Sequence, residues 1–298
     1  MRDYVILTDS SCELEHDERE KFGIEYVSMH FTLDGEEYPA DLDWKKLSAK
    51  DFYAAIREGK KYKSAQVNES QYVEAFTSVL SQGKDVLSIS CSGGLSASIN
   101  VSRSAREKVL KDFPEGKIIC IDGLSAGYGL GLLCLKASEL KRGGATIDEA
   151  AEWVENNKKR ANQAGTVEKL TYLKQAGRVS AAAAFFGGIL SVKPIVVSDS
   201  LGRNVASEKV KGRKASLERI AEIFLEEVDI AECREVRVNH ADAYEDAQTV
   251  INIIKDKLQD KVTYRIGDLG PIVGGSSGPG TVVVYAFGKD VRAKYDAK

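Results

Sequence analysis

Short apolar runs alternate with amphipathic helical patterns through the first half of this 298-residue chain. The apolar runs predict buried strands, namely YVILTD at 4–9, IEYVSMHFTLD at 24–34, DVLSIS at 85–90 and KIICID at 117–122. Helices are predicted at 44–59, 68–83, 96–113, 125–143 and 146–163. Strands separated by helices at this spacing predict parallel βαβ units in an N-terminal α/β domain.

The second half has a different pattern, and it predicts an α+β domain with a mixed sheet. The chain therefore divides near residue 163, into domains 1–163 and 164–298. TVEKLTYLKQAGRVS predicts one or two short strands and a turn, and AAAAFFGGIL at 181–190 predicts a helix of small residues. Other predicted elements are strands at 191–199, 235–241, 262–268 and 281–288, helices at 214–228 and 243–258, and a hairpin turn at 200–202.

Composition excludes several classes of protein. A net charge of −3 gives no basic face for nucleic acid. The N-terminus has no signal-peptide pattern and the longest apolar stretch, 130–135, is too short to span a bilayer, so a cytoplasmic location is expected. The five cysteines lack CxxC spacing and the three histidines are scattered, which favours reduced thiols and no metal site.

A glycine-rich turn lies in VLSISCSGGLSASINVSR at 86–103, between a predicted strand and a predicted helix. The free N–H groups at such a helix start suit an anion, although the phosphate-binding and dinucleotide-binding patterns are both missing. Ser96 and its neighbours add hydroxyl donors. Alternatively, Ser96 only caps the helix.

A GxSxG pattern at 123–127 also sits between a strand and a helix, which is the position of a nucleophile elbow. A serine hydrolase would use Ser125 with His240, the one histidine downstream. GDLGPIVGGSSGPGTVVV at 267–284 predicts a second glycine-rich loop. Arg178 precedes a run of small and aromatic residues. It is interpreted either as a surface charge or as a clamp for a carboxylate or phosphate.

Taken together, six segments in the same order resemble the DegV family of bacterial fatty-acid-binding proteins, over about residues 3–288. They are YVILTDSSCEL, KSAQVN, SGGLSAS, DGLSAGYGLGLL, GRVSAAAAFFGGILSVKPIV and GPIVGGSSGPG. The resemblance implies a two-domain DegV-like α/β fold with a lipid between the domains. It implies a carrier without catalytic activity or cofactor, whose bound fatty acid is phosphorylated by a fatty acid kinase for phospholipid synthesis. Since the family has a similar GxSxG turn, the hydrolase becomes the alternative.

The resemblance also implies site residues. Ser64 and Ser96 match the positions whose hydroxyls hold the fatty-acid carboxylate, and Arg178 matches an arginine on the face shown to the kinase. Secondary contacts are expected from Gln66, Gly94, Ser98, Ser276 and Ser277. The chain departs from the family with Ser276 for histidine, Ala65 for serine, Ala97 for glycine and Ser98 for threonine. The serine at 276 leaves open whether the usual kinase accepts this carrier.

The chemistry of a carrier suits such residues. Burial of about sixteen carbons contributes on the order of 12 kcal/mol before the costs of association, so the tail supplies the affinity. Hydroxyl groups hold the carboxylate without a fixed counter-charge and leave it reactive towards a phosphoryl donor. The small residues at 181–190 either line a tunnel for the tail or allow close packing of a helix on the sheet.

Overall fold

The computed structural model describes residues 2–179 and 191–296. The predicted small-residue helix at 181–190 lies outside the described residues. In chain order, the first half contains β1 (Tyr4–Asp9), α1 (His16–Phe22), β2 (Ile24–Val27), β3 (His30–Leu33), β4 (Glu36–Pro39), α2 (Ala49–Arg57), β5 (Tyr62–Ala65), α3 (Glu69–Ser81), β6 (Asp85–Ser90), α4 (Ser98–Asp112), β7 (Ile118–Asp122), α5 (Tyr128–Arg142) and α6 (Ile147–Asn157). The second half contains β8 (Ala161–Thr166), α7 (Leu170–Ala176), β9 (Val192–Ser198), β10 (Asn204–Lys211), α8 (Arg213–Glu227), β11 (Glu235–His240), α9 (Tyr244–Leu258), β12 (Thr263–Asp268), α10 (Pro271–Ser277) and β13 (Val282–Phe287).

The parallel sheet predicted for the first half is confirmed, in the strand order β2-β1-β6-β7. Every residue of β1 and β6 is buried, as expected for strands covered on both faces. Helix α3 begins at a capping box, in which the Asn68 side chain accepts from the backbone of Gln71 and the Gln71 side chain accepts from the backbone of Asn68.

The prediction of one strand over 24–34 is wrong, because two strands in two sheets occupy this stretch. β2 pairs with β1, whereas β3 joins β4 and β5 in a three-stranded antiparallel sheet. The predicted helix at 44–59 begins only at Ala49, since Trp44 has a positive φ of 53° and Ser48 caps the helix from an extended backbone.

The mixed sheet predicted for the second half is confirmed, in the order β10-β9-β8-β13-β11-β12. Among the described strands, β11 and β12 pair in parallel and the other neighbours pair antiparallel. β8 includes residues that were predicted to end a helix at 163, and α7 replaces the strands predicted over 166–180. The second glycine-rich loop, at 267–284, contains the short helix α10. The proposed boundary at residue 163 lies within β8 and stays a prediction.

One apolar core runs across both halves. Side chains of β1, β6 and α5 belong to the same buried cluster as Leu269, Tyr285 and Phe287 from the second half. A second cluster lies between the six-stranded sheet and helices α8 and α9. The five cysteines are free, and four of them are buried, in agreement with reduced thiols in the core.

A buried arginine also connects the halves. Arg237 on β11 is fully buried, and its guanidinium lies 2.7 Å from Glu15 and 2.6 Å from Glu18, at the start of α1. Glu235 lies 3.2 Å from its Nε, and the ring of Tyr128 lies 4.2 Å below its Cζ atom. This guanidinium therefore forms ion pairs with carboxylates of both halves.

Candidate functional site

A cleft of about 700 Å³, open solvent included, lies at the carboxyl ends of β1, β6 and β7. This is the edge of a parallel sheet at which ligands commonly bind. The loops that follow these strands form one wall, and α7, α10 and β10 of the second half form the other. The lining residues are Ser11, Met29, Ser64, Ala65, Gln66, Cys91, Leu95, Ser96, Ala97, Ala126, Leu173, Arg178, Asn204, Ile272, Val273, Ser276 and Ser277.

Asp9, at the end of β1, joins two of these loops. Its buried carboxylate accepts hydrogen bonds from the Ser11 hydroxyl at 2.6 Å, the Ser11 N–H at 3.1 Å and the Cys91 N–H at 2.7 Å. Burial raises the pKa of Asp9, and the three hydrogen bonds oppose this effect. Asp9 thus fixes the loop after β1 against the loop after β6, on the floor of the cleft.

The glycine-rich turn after β6 binds a carboxylate of the chain itself. Gly93 N–H donates to Asp122 Oδ1 at 3.1 Å, and Gly94 N–H donates to the Ser92 hydroxyl at 3.1 Å. A Cβ atom at position 93 would lie 2.7 Å from Asp122 Oδ2, so glycine is needed for this approach. The anion that the sequence predicted for this turn is therefore, at Gly93, the side chain of Asp122.

Ser96 lies in the cleft and also stabilises the start of α4. Its Oγ accepts a hydrogen bond from Ser98 N–H at 3.2 Å and lies 2.9 Å from Ser98 Oγ. Ser98 is fully buried behind it and accepts from Val67 N–H at 3.4 Å. Ser96 therefore both stabilises the start of the helix and lines the cleft. The neighbouring Ala97 N–H has no hydrogen-bond partner among the described residues.

Ser64 on β5 and Ser276 on α10 both line the cleft, and Tyr62, two residues before Ser64 on β5, contacts both of them. The Tyr62 hydroxyl is within hydrogen-bonding reach of both serine hydroxyls and donates to Pro271 O at 2.7 Å. Burial raises the pKa of Tyr62 well above its ordinary value, so the phenol stays protonated. A Cβ atom at Gly275 would lie 2.4 Å from the Tyr62 ring, which shows how closely α10 packs here.

Arg178 is the one charged residue among the described lining residues of the cleft. It is exposed, its guanidinium donates to Ala176 O, and no carboxylate within the described ranges pairs with it. Its positive charge acts on the buried Tyr62: it lowers the pKa of that phenol, although burial raises this pKa by more. Arg178 therefore places a positive charge at the mouth of a cleft that is otherwise neutral.

A second, more apolar chamber of about 440 Å³, open solvent included, adjoins the cleft. This chamber lies over the face of the six-stranded sheet formed by β8, β9 and β13. The two spaces share the residues Ala126, Leu173, Asn204, Val273 and Ser277, and the chamber adds Gln163, Gly165, Thr166, Val167, Val196, Thr281, Val283 and Tyr285. A polar entrance that leads to an apolar interior suits an amphipathic ligand.

The residues predicted from the sequence divide into two groups. Six of them line the cleft together, namely Ser64, Gln66, Ser96, Arg178, Ser276 and Ser277. Gly94 and Ser98 lie beside it, where Gly94 leaves room for Arg203 of the β9–β10 hairpin. Asp9 and Asp122 organise the loops and were missed; their positions at strand ends, before serine or glycine, were the available signal.

The two residues of the alternative hydrolase have other partners. Ser125 is buried, and its Oγ accepts a hydrogen bond from Arg292 Nη2 at 2.8 Å. His240 Nδ1 lies 3.6 Å from Asp268 Oδ1 and accepts weakly from Ala243 N–H at 3.4 Å. No hydrogen bond joins Ser125 to His240 in the described part of the chain.

No group of histidine, cysteine and acidic side chains within 2–179 and 191–296 is arranged to hold a metal ion. None of the helices in the same ranges has the length and apolar character needed to cross a membrane.

The family profile, a sequence relative and two solved structures that match this chain all belong to the DegV family. The profile of the DegV family, described as "Uncharacterised protein, DegV family", matches residues 3–289. A DegV domain-containing protein of Clostridium perfringens is 34% identical over 288 residues, which cover 97% of this chain and 98% of that protein. The structure of a fatty-acid-binding DegV family protein from Thermus thermophilus matches with a TM-score of 0.83 at 25% identity, covering 97% of this chain and 100% of that one. DegV of Bacillus subtilis, a fatty acid binding protein, matches with a TM-score of 0.82 at 25% identity, covering 96% and 100%.

Proposed function

Because the chain belongs to the DegV family, we propose that it is a cytoplasmic carrier that binds one long-chain fatty acid in the cleft between its two halves. The carrier has no catalytic activity of its own and uses no cofactor. It presents the bound carboxylate to a fatty acid kinase, which forms the acyl phosphate for phospholipid synthesis. The observation that carries this proposal is the hydroxyl-lined cleft that leads into an apolar chamber.

The polar end of the cleft supports a role in holding a carboxylate. We place the carboxylate between Ser64 and Ser96, with the Ala97 N–H as a further donor and with Gln66, Ser276 and Ser277 as secondary contacts. Ser98 supports Ser96 from behind through the contact between their hydroxyls, and Gly94 belongs to the same turn, where its N–H donates to the Ser92 hydroxyl. Neutral donors of this kind position a carboxylate without the fixed counter-charge that would make it less reactive.

The apolar chamber supports a role in burying the acyl tail. Its valine and leucine side chains remove methylene groups from water, at about 0.8 kcal/mol for each one. The tail then supplies most of the affinity and the serines supply the position of the head group. The preferred chain length depends on the shape of this chamber.

Lipid analysis of the purified protein tests the proposal. We expect native mass spectrometry of protein expressed in bacteria to give one acyl chain per protein chain, identified by extraction. Delipidated protein should take up palmitate or oleate in a 1:1 ratio. A protein that is isolated without lipid and binds neither acid contradicts the proposal.

Removal of either head-group hydroxyl should weaken binding. We expect Ser96→Ala and Ser64→Ala each to reduce palmitate affinity by about tenfold, since a hydrogen bond to a charged group contributes about 1–3 kcal/mol. Calorimetric titration of delipidated protein measures this change. Ser78→Ala, on the exposed face of α3, is the matched control and should bind as the wild type does. Wild-type affinity in both cleft variants would place the carboxylate elsewhere.

The kinase step assigns a different role to Arg178. Because this arginine is exposed at the mouth of the cleft, we expect Arg178→Ala to retain palmitate and to lose most acyl-phosphate formation when a fatty acid kinase is added. Arg234→Ala, which removes an exposed arginine that does not line the cleft, should leave both steps unchanged. Lost palmitate binding in Arg178→Ala with phosphorylation of any residual complex intact would reverse the assignment.

A further inference from the structure

Three side chains of the first half hold three consecutive residues at the start of α10. This helix carries Ile272, Val273, Ser276 and Ser277 into the cleft. The hydrogen bonds run from Gly270 N–H to Glu13 Oε2, from the Tyr53 hydroxyl to Leu269 O, and from the Tyr62 hydroxyl to Pro271 O. The position of one wall of the cleft therefore depends on a carboxyl group and two phenols.

Glu13 is the unusual member of this set. Only 4% of the residue is exposed, and its Oε1 atom is buried without a hydrogen-bond partner among the described residues. Burial raises the pKa of Glu13 to about 8, with Asp268 acting in the same direction and with Gly270 N–H and Arg237 acting against it. The carboxyl is thus mostly protonated at neutral pH and ionises just above it.

Glu13 has no ion-pair partner among the described residues, although the positive charge of Arg237 is close enough to lower its pKa. Arg237 is engaged by Glu15, Glu18 and Glu235 at 2.6–3.2 Å. Asp268 lies beside His240; burial raises the pKa of Asp268 and lowers that of His240. The groups that interact with Glu13 are Cys12 beside it in the chain, Asp268 on β12, Arg237 on β11, Tyr53 on α2, Tyr62 on β5 and Tyr285 on β13. Burial raises the pKa of the cysteine and of all three tyrosines.

On the basis of the fatty-acid-binding function proposed above, we propose that Glu13 is a positioning residue, which keeps α10 docked in the cleft while its carboxyl is protonated and releases α10 when the carboxyl ionises. An ionised Glu13 is a buried carboxylate with one oxygen unpartnered, close to a second carboxylate at Asp268. Hydration of that charge requires a local opening. The seven-residue helix α10 is the short element that lies over it.

The direction of the pH effect follows from proton linkage. The docked state holds the Glu13 proton more tightly than an open state, in which the pKa returns towards its ordinary value of 4.5. Docking is therefore strongest at acidic pH and weakens as pH rises, and the loss is complete as pH passes through about 8.

Amide hydrogen exchange tests the positioning role without a ligand. Glu13→Gln keeps an oxygen to accept from Gly270 N–H but carries no charge at any pH. We expect the exchange rates of the 270–277 amides in the wild type, relative to this variant, to rise by about tenfold between pH 6.5 and pH 9, because the comparison at each pH cancels the intrinsic pH dependence. Equal ratios at the two pH values would overturn the proposal.

Palmitate titrations connect the same change to the cleft. We expect the wild-type affinity to fall by up to about tenfold between pH 6.5 and pH 9, and the affinity of Glu13→Gln to stay constant. Tyr62→Phe removes an anchor that does not titrate in this range, so it should weaken binding equally at both pH values. Constant wild-type affinity beside a shifted exchange ratio would overturn the link to the cleft. No palmitate binding at either pH would contradict the proposed function, while the exchange ratios would still decide the role of Glu13.

Discussion

Arg237→Ala should be among the most destabilising single substitutions in the described part of the chain. Arg237 is fully buried and lies within 3.2 Å of the carboxylates of Glu15, Glu18 and Glu235. Removing one partner of a buried ion pair costs about 3–5 kcal/mol, because the Glu18 carboxylate, whose side chain is only 10% exposed, is then buried without a cation. We expect the free energy of unfolding to fall by this amount in denaturant titrations, and the melting temperature to fall by about 10 °C.

A second arginine with three carboxylate partners provides the control. Arg219 lies within hydrogen-bond distance of Glu208, Glu222 and Glu226, but its side chain is 27% exposed. Water hydrates these carboxylates when the arginine is removed, so Arg219→Ala should cost no more than about 1 kcal/mol. Equal losses of stability in the two variants would show that burial does not determine the contribution of Arg237.

Gly275→Ala should displace one wall of the cleft. The added Cβ atom would lie 2.4 Å from the ring of Tyr62, so that either the ring or α10 must move. Overpacking of this kind costs about 1–3 kcal/mol, and we expect at least a fivefold loss of palmitate affinity with a lower melting temperature. The Cβ atom added by Gly129→Ala in α5 would lie 3.5 Å from its nearest neighbour, so this variant should leave the palmitate affinity and the melting temperature unchanged.

A second-site variant separates the clash from other effects of the added methyl group. Removing the ring in Tyr62→Ala leaves space for the Cβ atom at position 275. In that background we expect Gly275→Ala to cost little further affinity or stability. An undiminished cost in the double variant would show that the Tyr62 ring is not what the methyl group meets.

Local sequence patterns predicted the elements that local physics determines. β6 matches its predicted bounds of 85–90, because a buried parallel strand is apolar throughout. The capping pair of Asn68 and Gln71 likewise marks the start of α3 in the sequence. Both signals depend on neighbours in the chain and on nothing distant.

Elements that depend on distant contacts were the ones missed. β8 reads ANQAGT, which has little strand character, and its pairing with β9 and β13 decides its conformation. α10 contains two glycines and two serines, and contacts from Glu13, Tyr53 and Tyr62 hold it in place. No sequence pattern indicates that Glu13 is buried.

The candidate site shows the same division. The resemblance to the family predicted Ser64, Ser96 and Arg178 as residues of one site, and all three line the same cleft in the structure. The supporting carboxylates, Asp9 and Asp122, act on backbone N–H groups of a neighbouring loop. Such contacts depend on which strands are neighbours in the sheet, so local sequence patterns do not indicate them.

The core that runs across both halves limits how the chain can be recombined. Leu269, Tyr285 and Phe287 pack among side chains of the first half, so a cut near residue 163 would expose apolar surface on both fragments. A chimera that exchanges one half with a relative must also exchange the residues that meet across this seam. Exchange of one half alone is therefore not expected to transfer the ligand preference of a relative, because residues of both halves form the cleft and the core that supports it.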